Sequence, residues 1–293
     1  MRRMAVAVVG RLKYAAEAAW YQRGKVPLLR MPIPWRLPYG GWFLAHGDAM
    51  GARIVGYHLA GHPYEEGHWK FVRDYLDAGM VVCDVGANQG FYTLLASRVV
   101  GASGQVIAFE PAATEYAKLL RNLALNRCDN VVAENKAVGA RSAVERFHHV
   151  RGHQGSWSSL RQPASDVESD VEVCEVSAVT LDEYAKARSL HRLDVVKIDV
   201  EGGELDVLRG AQQVLTRFRP VVLCEVEQRR ADQWGYDAAD IIEFLRRLHY
   251  DWHRADSLGR LGRLDERDVD AWENLVAIPA ETIISPDQRE AQC

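Results

Sequence analysis

Cysteine is scarce in this chain. Five occur among 293 residues (Cys83, Cys128, Cys174, Cys224 and Cys293), an odd number with no C-x-x-C pair. That excludes a disulfide framework and fits a reducing compartment. Cys83, Cys174 and Cys224 fall in apolar strand-like runs, where a thiol serves as a small hydrophobe. Long apolar runs are also missing. The stretch after the first three residues, Met4 to Gly10, is very short, and Arg11 and Lys13 follow it at once. Neither a signal peptide nor a transmembrane segment is expected, and a cytoplasmic location is the default. A basic surplus is lacking too: the net charge is −4, which argues against a general nucleic-acid binder. Internal repeats and low-complexity tracts are absent. The remainder is ordinary for a soluble enzyme, with 48% apolar and 26% charged residues.

Charge is distributed unevenly. Residues 1–40 carry eight basic groups and one acidic group, leaving −11 for the rest of the chain. Residues 4–22 have roughly helical spacing, and residues 26–40 hold Pro27, Pro32, Pro34 and Pro38, which forbid a helix interior. The expectation is a basic helix and proline-rich arm over 1–60, followed by a catalytic domain over 61–293. Such an arm could touch an anionic surface or join two copies as a homodimer, or it could simply be a solvated helix packed on the core.

From about residue 65 the pattern alternates. Helices are expected over 66–76, 90–100, 112–126, 204–218 and 238–248. Strands are expected over 80–85, 105–109, 131–138, 193–200, 220–226, 250–254 and 273–279. Residues 144–150 and 171–179 read as β-structure around a loop. Strand–helix alternation of this kind predicts a mainly parallel, doubly wound α/β sheet, with ligands held at the carboxyl ends of its strands.

The sharpest motif lies at the first such end. An apolar run, Val81 to Val85, enters the turn Asp84-Val-Gly-Ala-Asn-Gln-Gly90 and then a helix. Gly86 and Gly90 let the backbone turn tightly, and the helix start offers unpaired amides. Twenty positions after Gly90, Glu110 closes the second strand and could accept hydrogen bonds from ribose hydroxyls. A dinucleotide fingerprint requires glycine at three places. Counted from Gly86, the second is Asn88 and the third Phe91. A pyrophosphate is therefore disfavoured. S-adenosylmethionine (SAM) carries no phosphate, and its cationic ammonium and sulfonium suit Asp84.

These residues resemble the FkbM family of SAM-dependent methyltransferases. The resemblance rests on residues 84–93, Phe109-Glu-Pro111, Lys136-Ala-Val-Gly139, Gly155 to Leu160, Thr180-Leu-Asp-Glu-Tyr184, Val196 to Ala211 and Asn274 to Pro279. It spans about 65–280 and implies a class I methyltransferase fold: a Rossmann-like, mostly parallel seven-stranded sheet whose last strand is antiparallel. It also implies O-methylation of a hydroxyl on a small molecule, natural product or sugar. By resemblance Asp84, Gly86, Ala87, Asn88 and Gly90 line the methionine side of SAM, and Phe91, Tyr92 and Thr93 follow. Glu110 holds the ribose, Pro111 shapes the adenosine edge, and Lys136 and Ala137 lie near the adenine. Gln89 departs from the pattern, since an apolar residue is expected there.

An alcohol must lose its proton to attack a methyl group, so a base or a metal is expected. Lys197, Asp199 and Glu201 alternate onto one face if the strand persists. Asp199 is the first candidate, and Glu225 ends the neighbouring strand. His153 in the 153–159 loop is the third. His148 and His149 point to opposite faces. Asp199 with Glu225 could hold a divalent cation, but no metal is assigned. The bland alternative for Lys197 and Glu201 is an ion pair that fixes the loop. Two other readings stay open, an NAD-dependent oxidoreductase and a non-catalytic SAM-binding protein.

Overall fold

The structure is a computed structural model. It describes residues 31–150, 157–162, 170–264 and 272–282, and all that follows concerns those residues. The chain begins with a hairpin of β1 (Ile33–Arg36) and β2 (Trp42–Ala45). Pro34 is tolerated because β1 is an edge strand. Asp48 then caps α1 (Ala49–Leu59), accepting from the Gly51 amide at 2.9 Å. Next come α2 (Glu66–Tyr75), β3 (Val81–Val85), α3 (Phe91–Val100), β4 (Gln105–Phe109), α4 (Ala113–Asn126) and β5 (Val131–Glu134). A small sheet follows, built from β6 (Ala137–Val138), β7 (Ala143–Val150) and β8 (Val171–Val179). The alternation resumes with α5 (Leu181–Ala187), β9 (Val195–Ile198), α6 (Glu204–Arg209), α7 (Gln212–Phe218) and β10 (Val221–Glu227). It closes with α8 (Gln228–Trp234), α9 (Ala238–Arg247), β11 (Tyr250–Ala255), β12 (Leu261–Arg263) and β13 (Trp272–Pro279).

The main sheet has the order β12-β11-β13-β10-β9-β3-β4-β5. β5, β4, β3, β9 and β10 run parallel, while β13 lies antiparallel to both β10 and β11. The seven expected strands are present, and β12 adds a short eighth at the edge. From β3 the chain moves outward through β4 and β5, then returns to the other side at β9. The β3/β9 boundary is thus the switch point, and a crevice opens at its carboxyl ends.

Both faces of this sheet are covered, which explains the unbroken apolar runs. Cys83, Val85, Ile107 and Ile198 face a core built with α6, α7 and α9. Val82, Val106 and Ala108 face a second core containing Phe71, Phe91, Leu95 and Leu119. Leu37, Phe43, Met50 and Ile54 belong to that second core. Phe43 is fully buried, and burial of such a side chain contributes about 1.5–3 kcal/mol. The described part of the N-terminal segment is therefore packed on the body.

Three other readings change. The run 131–138 is two strands, because β5 leaves β4 after Glu134 and β6 pairs with β8. The run 204–218 is two helices, α6 and α7. They part at Gly210, where a Cβ would stand 2.1 Å from the Gly139 carbonyl oxygen. Cys174 is exposed on β8 and does not serve as a core hydrophobe. Among the described residues no helix is long and apolar enough to cross a membrane.

Candidate active site

A cleft of about 1620 Å³ opens over the carboxyl ends of β3, β4, β9 and β10. Its floor is the turn after β3. Gly86 (φ 78°), Asn88 (φ 49°) and Gly90 (φ 94°) all take left-handed backbone, which glycine and asparagine adopt most readily. Asn88 thus fills a position that other side chains would strain. The turn is tied to β4: the Gly86 and Ala87 amides donate to the Phe109 carbonyl at 3.0 and 2.9 Å. Glu110 receives the Asn88 and Ala112 amides on its two oxygens, each at 2.8 Å. Burial, partly offset by those amides, pushes its carboxyl up to about 8.

Asp84 sits at the head of the cleft, 1% exposed. One oxygen accepts from the Thr93 hydroxyl at 2.5 Å. The other, Oδ1, has no hydrogen-bond partner and stands 3.9 Å from Lys197 Nζ. Burial raises the Asp84 pKa against the pull of Lys197 and Thr93. Lys197 donates to Asp199 Oδ2 at 3.0 Å and lies 5.2 Å from the Tyr92 ring centre. Burial opposes its charge, but Asp199, Asp84 and Glu65 together raise its pKa. Glu65 in turn accepts from the Tyr92 hydroxyl at 2.7 Å. Three carboxylates thus surround one ammonium.

Of the residues singled out on sequence grounds, Asp84, Gly86, Ala87, Asn88, Phe91, Tyr92, Glu110, Pro111, Lys136, Ala137, Asp199 and Glu225 line this one cleft. Gly90 and Thr93 do not. Gly90 turns toward Leu119, and Thr93 is fully buried behind Asp84. His153 lies outside the described residues. The Lys197–Glu201 ion pair is not formed: Lys197 turns to Asp199, while Glu201 pairs with Arg230 at 2.8 Å. Glu201 has a φ of 58°, so the strand has ended and the alternation no longer holds. His148 lines the cleft, while His149 Nε2 bonds the Thr114 hydroxyl at 2.9 Å. Among the described residues no group of three or more His, Cys, Asp or Glu side chains is placed to hold a metal.

Sequence reasoning missed one whole side of the cleft. Met50, Arg53 and Tyr57 of α1, Glu65 and His68 at the start of α2, and Arg254 and Asn274 beyond α9 all contribute. None of them ends a parallel strand, so the strand-end rule did not reach them. The nearest signal was Gln89, a polar residue 2% exposed whose Nε2 donates to Asp48 at 2.8 Å.

A Rossmann-like sheet with β3 at its switch point, an antiparallel strand β13 inside it and an acidic glycine turn beneath the cleft defines a class I methyltransferase fold. The chain belongs to the FkbM methyltransferases: residues 84–251 match the Methyltransferase FkbM domain. It is similar to Methyltransferase sdnD of Sordaria araneosa, 29% identical over 163 residues, covering 47% of this chain and 62% of that protein. Methyltransferase 1 of Beauveria bassiana is 27% identical over 143 residues, covering 44% and 57%. AMB antimetabolite synthetase AmbE of Pseudomonas aeruginosa is 28% identical over 199 residues, covering 57% of this chain and 9% of that protein. The chain thus spans less than two thirds of each of these relatives. Methyltransferase FkbM from Methylobacillus flagellatus KT is a solved structure with a TM-score of 0.45 at 14% identity, covering 78% of this chain and 53% of that one.

Proposed function

We propose that this methyltransferase carries a methyl group from SAM to a hydroxyl of a small molecule, natural product or sugar. The observation that carries this reading is the charge at the head of the cleft. Asp84 keeps a buried oxygen without a hydrogen-bond partner, and Asp84, Asp199 and Glu65 all act on the buried ammonium of Lys197. Buried negative charge of this kind calls for a cationic occupant. SAM brings an ammonium and a sulfonium. A dinucleotide brings phosphates, which this site would repel.

In this reading Asp84, Gly86, Ala87 and Asn88 hold the methionine portion, with Phe91 and Tyr92 behind it. Glu110 accepts the ribose hydroxyls, and Pro111, Lys136 and Ala137 border the adenine. SAM supplies the activated methyl when bound. The chain's own task is alignment, since in-line displacement gains most of its rate from proximity. Asp199 is the acceptor-side group. Its side chain is 28% exposed against 2% for Asp84, so it reaches open cleft while Lys197 fixes its Oδ2. It accepts the hydroxyl proton of the methyl acceptor. Glu225, one strand over on β10, orients a second polar group of that molecule. His153 is the further candidate for the proton.

Two measurements test this. Calorimetric titration with S-adenosylhomocysteine (SAH) and with NAD compares the cofactors, and tighter binding of NAD sinks the reading. A screen of hydroxyl-bearing acceptors with radiolabelled SAM then reads methyl transfer. Asp199→Ala should lower turnover by about 100-fold or more, the usual weight of a general base, while leaving SAH binding within several-fold. Wild-type turnover in the alanine variant refutes the role of Asp199.

A further inference from the structure

The cofactor turn and the acceptor-side wall of the cleft are tied together by one carboxylate. Asp48 Oδ1 accepts from the Gly51 amide and so starts α1. Asp48 Oδ2 accepts from Gln89 Nε2 and from Lys118 Nζ, each at 2.8 Å. Gln89 is the residue after Asn88, inside the turn. Met50, Arg53 and Tyr57, which line the opposite wall, all stand on α1.

The turn end of the tie is also anchored to β2. Asn122, fully buried on α4, donates to the Gln89 carbonyl at 2.8 Å and accepts from the Leu44 amide at 2.7 Å. The base of α1 has no slack either, because a Cβ on Gly51 would stand 2.1 Å from the His46 carbonyl oxygen. Asp48 is only 12% exposed at its side chain, and Lys118 is itself braced by Glu115 at 3.1 Å. A hydrogen bond to a charged, mostly buried group is among the stronger ones a protein makes. The residues on both ends of this link face the cleft, yet Asp48 and α1 lie before the segment 84–251 that matches the family.

We propose that Asp48 is a positioning residue for methyl transfer: through Gln89 it locks α1 to the cofactor turn, so that a cofactor seated on the turn sets the acceptor wall. This rests on the reading that SAM occupies the turn. The link transmits position because the Gln89 side-chain nitrogen and backbone carbonyl and both Asp48 oxygens are engaged in a packed setting, with Gln89 Oε1 the one buried polar side-chain atom of Asp48 and Gln89 left without a partner.

Hydrogen exchange of the amides in Ala49–Leu59, with and without saturating SAH, tests it on the full chain. In the wild type SAH should slow exchange in the turn and also in α1, by at least about fivefold, as expected when a ligand rigidifies a coupled element. Gln89→Leu keeps the buried volume and removes the donor. It should weaken SAH by no more than about tenfold, the scale of one such hydrogen bond. At saturation it should leave α1 exchanging as in the unliganded protein. Asp48→Asn keeps an oxygen for the Gly51 amide, so α1 stays capped, but turns an NH2 toward two donors. It should show the same loss of protection. A merely structural role would lower the melting temperature without changing what SAH does to α1. Full α1 protection by SAH in both variants overturns the proposal, and so does wild-type protection confined to the turn. Failure of SAH to bind the wild type overturns the SAM reading itself, and the proposal with it.

Discussion

Two glycines allow the cofactor turn to be weighed against an internal control. Gly86 and Gly61 both have φ of +78°. A Cβ on Gly61 would meet nothing within 4 Å, whereas one on Gly86 would stand 1.8 Å from the Asp199 carbonyl oxygen. Alanine at either position carries the left-handed penalty of about 1–2 kcal/mol. For Gly61→Ala that is the whole cost, and at about 2–4 °C per kcal/mol it lowers the melting temperature by about 2–8 °C. In Gly86→Ala the Cβ meets backbone, which cannot swing aside. The end of β9 must therefore retreat by more than 1 Å to restore ordinary contact. Overpacking of that kind adds about 1–3 kcal/mol, giving a total of about 2–5 kcal/mol. The displaced group is Asp199 itself, and a 1 Å misplacement at a reacting centre can lower rate by about 100-fold. Thermal unfolding and SAH calorimetry on the pair are the assay. Gly86→Ala should melt lower than Gly61→Ala and should alone lose SAH affinity, by about tenfold or more. Equal melting temperatures and equal affinities would refute the claim that the turn is packed against the end of β9.

Two further outcomes follow from the charged groups. Glu110 titrates near 8 in the free chain, above its ordinary 4.5. The folded protein therefore holds that proton more tightly, and this group's contribution to stability falls as pH rises from about 4.5 to about 8. Ribose hydroxyls favour the ionised form, so SAH affinity should rise with pH up to about 8 and then level off, with proton release seen by calorimetry in buffers of differing ionisation enthalpy. Glu110→Gln should flatten that profile, and a flat wild-type profile sinks the assignment. Lys197→Met leaves Asp84 and Asp199 facing each other uncompensated, a loss of about 3–5 kcal/mol for a buried pair. It should lower the melting temperature by about 6–20 °C, with partial recovery on acidification as the raised carboxyl of Asp84 takes up a proton. A variant within 2 °C of wild type, by the same scale, at every pH counts against the cluster.

Much of the sheet was legible because its strands are buried on both faces. Val81 to Val85 and Val195 to Ile198 read as apolar runs for that reason, and the run ends led to Asp84, Glu110, Asp199 and Glu225, which share one cleft. What was not legible depended on tertiary approach. The break between α6 and α7 falls at Gly210, which packs against the Gly139 carbonyl, a contact between segments 71 positions apart. The partner of Glu201 was misread because period-two reasoning fails once the backbone turns left-handed at that residue. The hairpin of β1 and β2 carries Pro34, and each of its strands is only four residues long. Asn122 and Asn126 on α4 bond its backbone at Leu44 and Trp42, and no local pattern announces that.

Family membership constrains the two sides of this cleft unequally, and the reason is geometric. The segment 84–251 contains the turn after β3, Glu110 and Lys136, which read as the cofactor half, together with Asp199 and Glu225 at the ends of β9 and β10. The opposing wall comes from α1 and the start of α2 before that segment, and from Arg254, Asp256 and Asn274 after it. Those groups are mostly long and polar: Arg53, Tyr57, Glu65, His68 and Arg254. Such side chains select a substrate by paired hydrogen bonds and charges, and a buried polar group left unpaired by the wrong substrate costs about 1–3 kcal/mol. A relative that shares the matched segment but differs in these flanks would keep the cofactor and change the acceptor. Exchanging residues 49–59 with those of such a relative should therefore redirect acceptor choice while leaving SAH affinity within about tenfold, the share that the Asp48–Gln89 link can supply. Loss of SAH binding together with acceptor choice would show instead that the two halves are not separable.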